Sequence, residues 1–411
     1  MKYARRNFWT NSIEGGLYIG GSAFVAKEAV LPPLVDALGG PVWLISLAPT
    51  LGLIGLYLPS IFVVHILERI PRKHPILLVT GALQRLPFLF AGLALLLLVE
   101  NHPVFTLYLV ALTPFISGFF CGTTYPGWVE LVSKTVPAPK RASHFALRLV
   151  IGSLIGLAAG KIITIALSDF SIFNGFGILH LAAFFFLASS FVVFSMIKET
   201  TDSPMHESKA SDNPFSAIGD IPRILKSDKR FFRYLISLTL LNGTFVALPF
   251  LSIHALNVLH KPLGSLGTFV MIMITGKLSS NFICGWLGDK FGGKLSLTIS
   301  ISAYILTFLI AAFTASENLF YLVFFLAGFS EDAMYVGRGT LNVDIAPGGR
   351  MVRYQSIITL ISLPAMLIMP LFGAFLWKAS GSFLLLSLIS SAFSAGALYY
   401  LTKINEPRFN P

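Results

Sequence analysis

Charge and cysteine are both scarce in this sequence. Only 12% of its 411 residues are charged, against about 25% in soluble globular domains. Its two cysteines fall inside apolar runs, which excludes a disulfide framework and a cysteine-based zinc site. It contains no G-x-x-x-x-G-K-[ST] loop, no HExxH and no CxxC. We therefore expect no ATP hydrolysis, no enzymatic activity, no cofactor and no bound metal.

Apolar residues are correspondingly abundant. Hydrophobic side chains make up 55% of the chain, including 37 phenylalanines, and the mean hydropathy is +0.77. A soluble globule of this length needs far more polar surface, so the sequence predicts an integral membrane protein. The net charge of +11 would indicate nucleic acid in a soluble protein, whereas in a membrane protein it marks the cytoplasmic loops. We expect no nucleic-acid partner.

Long apolar runs recur along the whole chain. A helix needs about 20 apolar residues to cross the hydrocarbon core of a bilayer. Twelve stretches meet this requirement, and they leave no room for a further soluble domain. They lie near 10–35, 43–66, 75–99, 103–131, 143–167, 176–197, 232–257, 263–288, 293–315, 319–343, 353–377 and 382–402.

The basic residues indicate orientation. Most of the 30 lysines and arginines lie before the first span, in the loops after even-numbered spans, in the central loop or after the last span. Only Lys261 and Lys378 fall in loops on the opposite side. Because basic loops stay in the cytoplasm, both termini are predicted to be cytoplasmic. We expect a monomeric, multi-pass protein of a cell membrane, specifically the bacterial inner membrane.

A single long polar interval divides the chain. It predicts an N-terminal six-helix bundle over 1–198, a cytoplasmic linker over 199–231 and a C-terminal six-helix bundle over 232–411. In the second half of the linker, isoleucines alternate with lysines and arginines, which fits an amphipathic helix on the anionic inner leaflet. A solvated basic linker fits this composition equally well.

Three landmarks recur in both halves, in the same order and at equivalent span positions. They are LPPL (31–34) with LPFL (248–251), ERIPRK (68–73) with DKFGGK (289–294), and VPAPKR (136–141) with IAPGGR (345–350). Each pair alone has little weight. Together they favour a duplicated six-helix unit.

The segment GWLGDKFGGK (285–294) resembles the signature loop of the major facilitator superfamily, roughly G-x-L-x-D-[RK]-x-G-[RK]-[RK]. The first half matches only in part, with Glu68 at the position of the aspartate. The resemblance implies an all-α fold of two pseudo-symmetric six-helix bundles that alternate access to a central site. It also implies a cytoplasmic latch, whose candidate residues are Glu68, Arg141, Asp289, Lys290, Lys294 and Arg350.

Ionisable residues inside the spans are the candidates for function, because each costs about 2.5–3.5 kcal/mol at the middle of a membrane helix. With one polar amide added, the predicted substrate or proton pathway consists of Glu28, Glu130, Arg148, Lys161, Asn242, Lys277, Glu331, Asp332 and Arg338. We expect Arg85 to snorkel or pack near the cytoplasmic face, and Glu14 to cap or pair near its helix end.

Depth and spacing predict three ion pairs within this set. Glu331 or Asp332 lies at mid-helix with Lys277 at similar depth, so one carboxylate is predicted to carry a coupling proton. A static buried ion pair between the two helices is the alternative. Two further predicted pairs are Glu28 with Lys161 and Glu130 with Arg148.

These features predict a secondary active transporter that moves a small, charged or zwitterionic organic solute by proton symport. Its expected partners are this solute, protons and the lipid bilayer. One alternative is a proton-coupled antiporter that exports drugs or metabolites. Another is a membrane sensor or accessory subunit that has the same fold and transports nothing.

Overall fold

The computed structural model describes residues 3–68, 70, 72–199, 216–346 and 351–407. These residues contain α-helices and short 3₁₀ segments and no strand. The helices are α1 (Ala4–Ser22), α2 (Leu31–Ala37), α3 (Val42–Glu68), α4 (His74–Leu97), α5 (Pro103–Thr135), α6 (Arg141–Asp169), α7 (Ile172–Ser195), α8 (Ser216–Ser227), α9 (Lys229–Leu241), α10 (Leu251–Leu259), α11 (Ser265–Phe291), α12 (Gly293–Phe313), α13 (Glu317–Ile345), α14 (Met351–Ser380) and α15 (Phe383–Thr402).

Eleven helical stretches among the described residues are long and apolar enough to cross a membrane. They coincide with the second to the twelfth predicted spans. Their outer faces carry apolar side chains that a soluble protein would bury, such as Leu97 (68% exposed), Phe282 (67%) and Phe313 (72%). The chain is therefore a multi-pass membrane protein.

Helix α1 lies where the first span was predicted, but it is not among the eleven. It has 19 residues, and its buried face is polar and small, with Asn7, Asn11, Ser12 and Glu14 followed by four glycines. Its low hydropathy follows from what it packs against, because this face contacts other helices of the protein rather than lipid.

The first and the seventh predicted spans are both interrupted. Helix α1 is followed by a 3₁₀ turn at Ala23–Val25, and a new helix begins at the LPPL motif. Helix α9 is likewise followed by 3₁₀ segments at Asn242–Val246 and Leu248–Phe250, the second within LPFL. Proline lacks the N–H that would continue the preceding turn, yet it is tolerated at the start of a helix. Both copies of this landmark thus have the same local role.

Contacts divide the chain into two compact units. The first unit comprises Met1–Gly40, Leu51–Pro214 and Pro262–Met271, and the second comprises Pro41–Thr50, Phe215–Lys261 and Ile272–Pro411. Helices α1 to α7 supply most of the first unit, and α8 to α15 supply most of the second. In the first unit α1 packs along α6, and α4 packs between α5 and α7. In the second unit α12 packs between α13 and α15.

Helix α8 occupies the second half of the predicted linker. Ile224 is buried, whereas Arg223 and Lys226 are exposed, so the described side chains separate into an apolar and a basic face. The helix packs against α9 and α14 of the second unit. Its apolar face is therefore directed at the protein.

In each unit, a carboxylate that follows the last helix binds the start of a long helix, α4 in the first unit and α12 in the second. Glu199 accepts hydrogen bonds from the backbone N–H groups of Lys73 (3.2 Å) and His74 (2.9 Å), at the start of α4. Glu406 accepts one from Lys294 N (3.1 Å), at the start of α12. A helix N-terminus has unpaired N–H groups and a positive dipole end, so it favours an anion.

We expect Glu199→Gln to destabilise the protein by about 1 kcal/mol, because it weakens two hydrogen bonds to the start of α4. Thermal unfolding of the purified protein in detergent measures this change. The matched control is Glu100→Gln, at an exposed turn position after α4. Equal unfolding midpoints for the two variants would contradict the role of Glu199.

Candidate functional site

Two glycines bring the backbones of α11 and α13 together at mid-helix. A Cβ atom on Gly276 would overlap the carbonyl oxygen of Phe325, and one on Gly328 would overlap that of Met273. Both positions lie within three residues of a charged side chain that the sequence singled out. The close approach lets short and long polar side chains of the two helices reach each other.

Lys277 and Glu331 form an ion pair at this approach. Lys277 Nζ lies 2.6 Å from Glu331 Oε2, and the two side chains are 28% and 13% exposed. Glu331 is the central residue of α13, which runs over 29 residues from Glu317 to Ile345. The sequence left open whether Glu331 or Asp332 pairs with a cation, and a charge-assisted hydrogen bond of this length at mid-helix is strong.

Asp332 also binds α11. The amide of Asn281 donates a hydrogen bond to Asp332 Oδ2 at 2.7 Å. Asn281 follows Lys277 by four residues, so both polar side chains lie on the same face of α11. Although neighbouring helical positions point about 100° apart, α11 therefore provides a partner for each of the two carboxylates.

Two other predicted residues of the second unit have structural contacts. Asn242 is buried, and its amide donates to Leu238 O (3.0 Å) and Thr239 O (3.3 Å), where α9 gives way to a 3₁₀ turn. Arg338 is half-buried and interacts electrostatically with Tyr234. The side-chain amide of Asn242 therefore donates to backbone carbonyls of α9.

A second charged cluster lies in the first unit, and sequence reasoning missed most of it. Arg85 is only 6% exposed, so of its two expected roles, snorkelling or packing, the structure shows packing. It lies 3.9 Å from Glu14, and Arg148 lies 4.0 Å from the same carboxylate. Each cation is an interior residue because a buried carboxylate on α1 faces it. The signal in the sequence was Glu14 itself, amid the small residues of α1.

Glu130 pairs with Lys73 (3.2 Å) and Lys134 (2.6 Å), so the predicted Glu130–Arg148 pair is wrong. Glu130 lies in the last turns of α5 and faces the start of α4, whereas Arg148 faces α1. Periodicity gives the depth of such residues and leaves the neighbouring helix undetermined.

Lys27 and Glu28 lie in the turn between Val25 and Leu31, outside any helix. Lys27 Nζ contacts Glu28 Oε1 at 2.9 Å. Lys161, the predicted partner of Glu28, is exposed on α6. The break in the first span moves Glu28 out of the helical register on which this predicted pair was based.

The predicted latch residues lie near helix ends. Arg141 donates to Val136 O (3.3 Å) and Ser133 O (2.7 Å), which fastens the end of α5 to the start of α6. Asp289 is exposed in the last turn of α11. Lys290 lies over the rings of Trp286 (5.4 Å) and Phe291 (5.2 Å).

The three remaining latch residues are Lys294, Glu68 and Arg350. The backbone N–H of Lys294 binds Glu406, as described for α12. Glu68 ends α3, and its side chain lies outside the described part of the chain, as does the whole of Arg350. Among the described residues, no group of histidine, cysteine, aspartate and glutamate has the arrangement of a metal site.

The comparisons agree with this architecture. Residues 234–411 match the family model of the Major Facilitator Superfamily. No curated protein matches the sequence significantly. The predicted resemblance to the major facilitator superfamily is confirmed by this match over residues 234–411, and the whole chain shares the fold of solved structures described below.

Solved structures share the fold at low sequence identity. The D-xylose-proton symporter is 14% identical, with 99% of each chain covered and a TM-score of 0.74. A mutant of the nucleoside transporter NupG is 13% identical, with 96% of this chain and 99% of that chain covered and a TM-score of 0.71. A bacterial homologue of the iron transporter ferroportin in an inward-facing state is 16% identical, with 97% and 98% covered and a TM-score of 0.67.

Proposed function

We propose that the chain is a secondary active transporter that moves a small, charged or zwitterionic organic solute together with protons. The observation that carries this proposal is the 2.6 Å contact between Lys277 and Glu331 in the middle of α11 and α13. Charges at this depth cost about 2.5–3.5 kcal/mol each on insertion scales, so a membrane protein retains them where they serve transport. The similar fold of the D-xylose-proton symporter supports proton coupling.

In the proposed mechanism, Lys277 and Glu331 neutralise each other while no solute is bound. An anionic group of the solute competes with Glu331 for Lys277. When this group binds Lys277, Glu331 loses its contact with that counter-ion. Because an uncompensated charge is costly in a low-dielectric environment, Glu331 then takes up a proton. Asn281, on the same face of α11 as Lys277, donates a hydrogen bond to Asp332 of α13 and so supports the orientation of the pair.

The proposal includes twelve spans, with residues before α1 and after α15 in the cytoplasm. Helix α1 has 19 residues, which corresponds to a length of about 28 Å and nearly equals the hydrocarbon core of about 30 Å. Together with the residues that follow it, α1 would form the first span along the chain and bring the total to twelve. We also propose a bacterial inner-membrane location, a monomeric state and a division into two bundles at residues 199–231.

Reconstituted protein with a pH-sensitive dye inside the liposomes tests this function. A thermal-shift screen over a metabolite panel first supplies the solute. Symport predicts that external solute acidifies the lumen of the liposomes. Alkalinisation would instead show the antiporter alternative, and transport without proton movement would contradict proton coupling. If no solute on the panel moved, the sensor alternative would replace the transporter.

The latch is part of the same proposal. We expect Asp289→Asn to weaken closure of the cytoplasmic side, because it removes the charge that favours a neighbouring helix N-terminus. Spin labels on the cytoplasmic ends of the two halves would then report longer distances than in the unsubstituted protein. Unchanged distances would contradict the latch.

A further inference from the structure

Four side chains from four helices meet inside the first unit. Glu14 lies on α1, Arg85 on α4, Trp128 on α5 and Arg148 on α6. Arg148 stacks on Trp128, with Cζ 4.5 Å from the ring centroid. A Cβ atom on Gly15 would overlap the Arg148 side chain, so this glycine makes the room for it. The cluster holds two cations and one carboxylate, and therefore has an excess of positive charge.

The two arginines differ in how fully they are used. Arg85 donates to Leu187 O (2.7 Å), Gly81 O (2.6 Å) and Ser190 Oγ (3.2 Å). This set fixes Arg85 in place as a structural cation. Glu14 Oε1 accepts a hydrogen bond from Ser190 Oγ (3.2 Å) and lies 3.9 Å from Arg85 Nη2, so its contact with Arg85 is a long one.

Arg148 is held much more loosely. Within the described part of the chain, its Nη1 and Glu14 Oε2 are buried atoms without a hydrogen-bond partner. Arg148 Nη2 and Glu14 Oε2 are 4.0 Å apart, which is beyond hydrogen-bonding distance. The Arg148 side chain is 11% exposed. A guanidinium with unused donors favours a second anion, which it can bind through two parallel hydrogen bonds.

An aromatic wall adjoins this guanidinium, formed by Tyr125, Trp128 and Phe145. Tyr125 stacks with Trp128 at 5.9 Å, and Phe145 packs edge-on against Trp128 at 6.2 Å. Tyr125 is 52% exposed and Phe145 is 45% exposed, so the wall is accessible from one side. Aromatic rings attract a further planar ring through offset-stacked or edge-to-face contacts.

We propose that Arg148 and the aromatic wall bind a small organic anion with a planar apolar body, and that Glu14 is the internal anion this ligand displaces. The anionic group pairs with Arg148, and the planar body lies against Tyr125 and Phe145. This inference rests on the proposed transport function and narrows its solute to one class.

Binding to the purified protein in detergent tests the inference without any transport. Trp128 serves as the reporter after the other four tryptophans are replaced by phenylalanine, at Trp9, Trp43, Trp286 and Trp377. The probes are benzoate, benzamide and acetate. Benzoate should change Trp128 fluorescence saturably, and both other probes should bind at least about tenfold more weakly, since each lacks one of the two recognised features.

Variants separate recognition from folding. Arg148→Gln should abolish benzoate binding, and Arg148→Lys should weaken it, because lysine lacks the planar guanidinium. Glu14→Gln should tighten benzoate binding by several-fold, since it removes the competing anion, whereas a purely structural Glu14 predicts weaker binding. Lys198→Gln, at an exposed position after α7, is the control and should bind as the parent does.

Each result decides the inference separately from the transport function. Failure of the parent to bind benzoate, equal binding of benzoate and benzamide, or weaker binding by Glu14→Gln would overturn it. Glu317→Gln should bind benzoate normally, because Glu317 pairs with Lys261 at the start of α13. If benzoate binding failed while solute-driven proton movement persisted, the solute class would be wrong and the transport function would stand.

Discussion

Glu331→Gln is expected to reduce solute-driven proton movement to the level of protein-free liposomes. Glutamine keeps the shape of the side chain but holds no exchangeable proton at mid-helix. Exchange of labelled for unlabelled solute should persist, because it needs no net proton transfer. The matched control is Glu317→Gln at the start of the same helix, where Glu317 pairs with Lys261 at 2.9 Å and is outside the proposed pathway.

A double variant separates this role from a static ion pair. Glu331→Gln alone removes the carboxylate that faces the partly buried Lys277. Removal of one partner from a fully buried ion pair destabilises a protein by about 3–5 kcal/mol. We expect a smaller loss of stability here, because this pair is only partly buried. Glu331→Gln combined with Lys277→Gln removes both charges and should recover much of this loss. If Glu331 carries the coupling proton, the double variant should recover stability without recovering proton movement. Recovery of both would show that the pair is structural.

Gly328→Ala is expected to reduce both the stability of the protein and its transport of solute. The added methyl would overlap the carbonyl oxygen of Met273, so α11 and α13 must separate or deform, at a cost of about 1–3 kcal/mol. The same separation would lengthen the Lys277–Glu331 contact. Thermal unfolding in detergent and solute uptake into proteoliposomes should therefore decline together.

Gly339→Ala is the control for this substitution. Gly339 lies on the same helix, and a Cβ atom there would meet nothing within 4 Å. Alanine stabilises an exposed helix interior by up to about 1 kcal/mol relative to glycine. Gly339→Ala should thus be neutral or stabilising with normal uptake. A loss of stability equal to that of Gly328→Ala would contradict the close helix approach as its cause.

Hydropathy predicted eleven of the spans correctly because lipid-facing helices must be apolar wherever they lie. The apolar stretch at 10–35 was predicted as one span, whereas the structure there has the end of α1, a 3₁₀ turn and the start of α2, and the buried face of α1 carries Asn7, Asn11 and Glu14. The break after α1 was also not predicted, although LPPL marks its end. A proline at the start of a helix and one that kinks a continuous span have the same appearance in a sequence.

The candidate site divides in the same way. Lys277 and Glu331 were predictable as a pair, since each lies at mid-helix and few charges occur at that depth. The partner of Arg148 was not predictable, because the helical period gives the depth of a residue and its face but not the helix opposite. For the same reason Arg85 was expected to snorkel or pack near the cytoplasmic face without a predicted partner, and it lies 3.9 Å from Glu14 on α1.

Proton uptake on solute binding shows directly whether Glu331 carries the coupling proton. The purified protein, in weakly buffered detergent solution, is mixed with saturating solute while the pH is recorded. The account predicts proton uptake in proportion to the protein present, its absence in Glu331→Gln and its retention in Glu317→Gln. Equal uptake by the parent and by Glu331→Gln, both with solute bound, would show that another group carries the coupling proton.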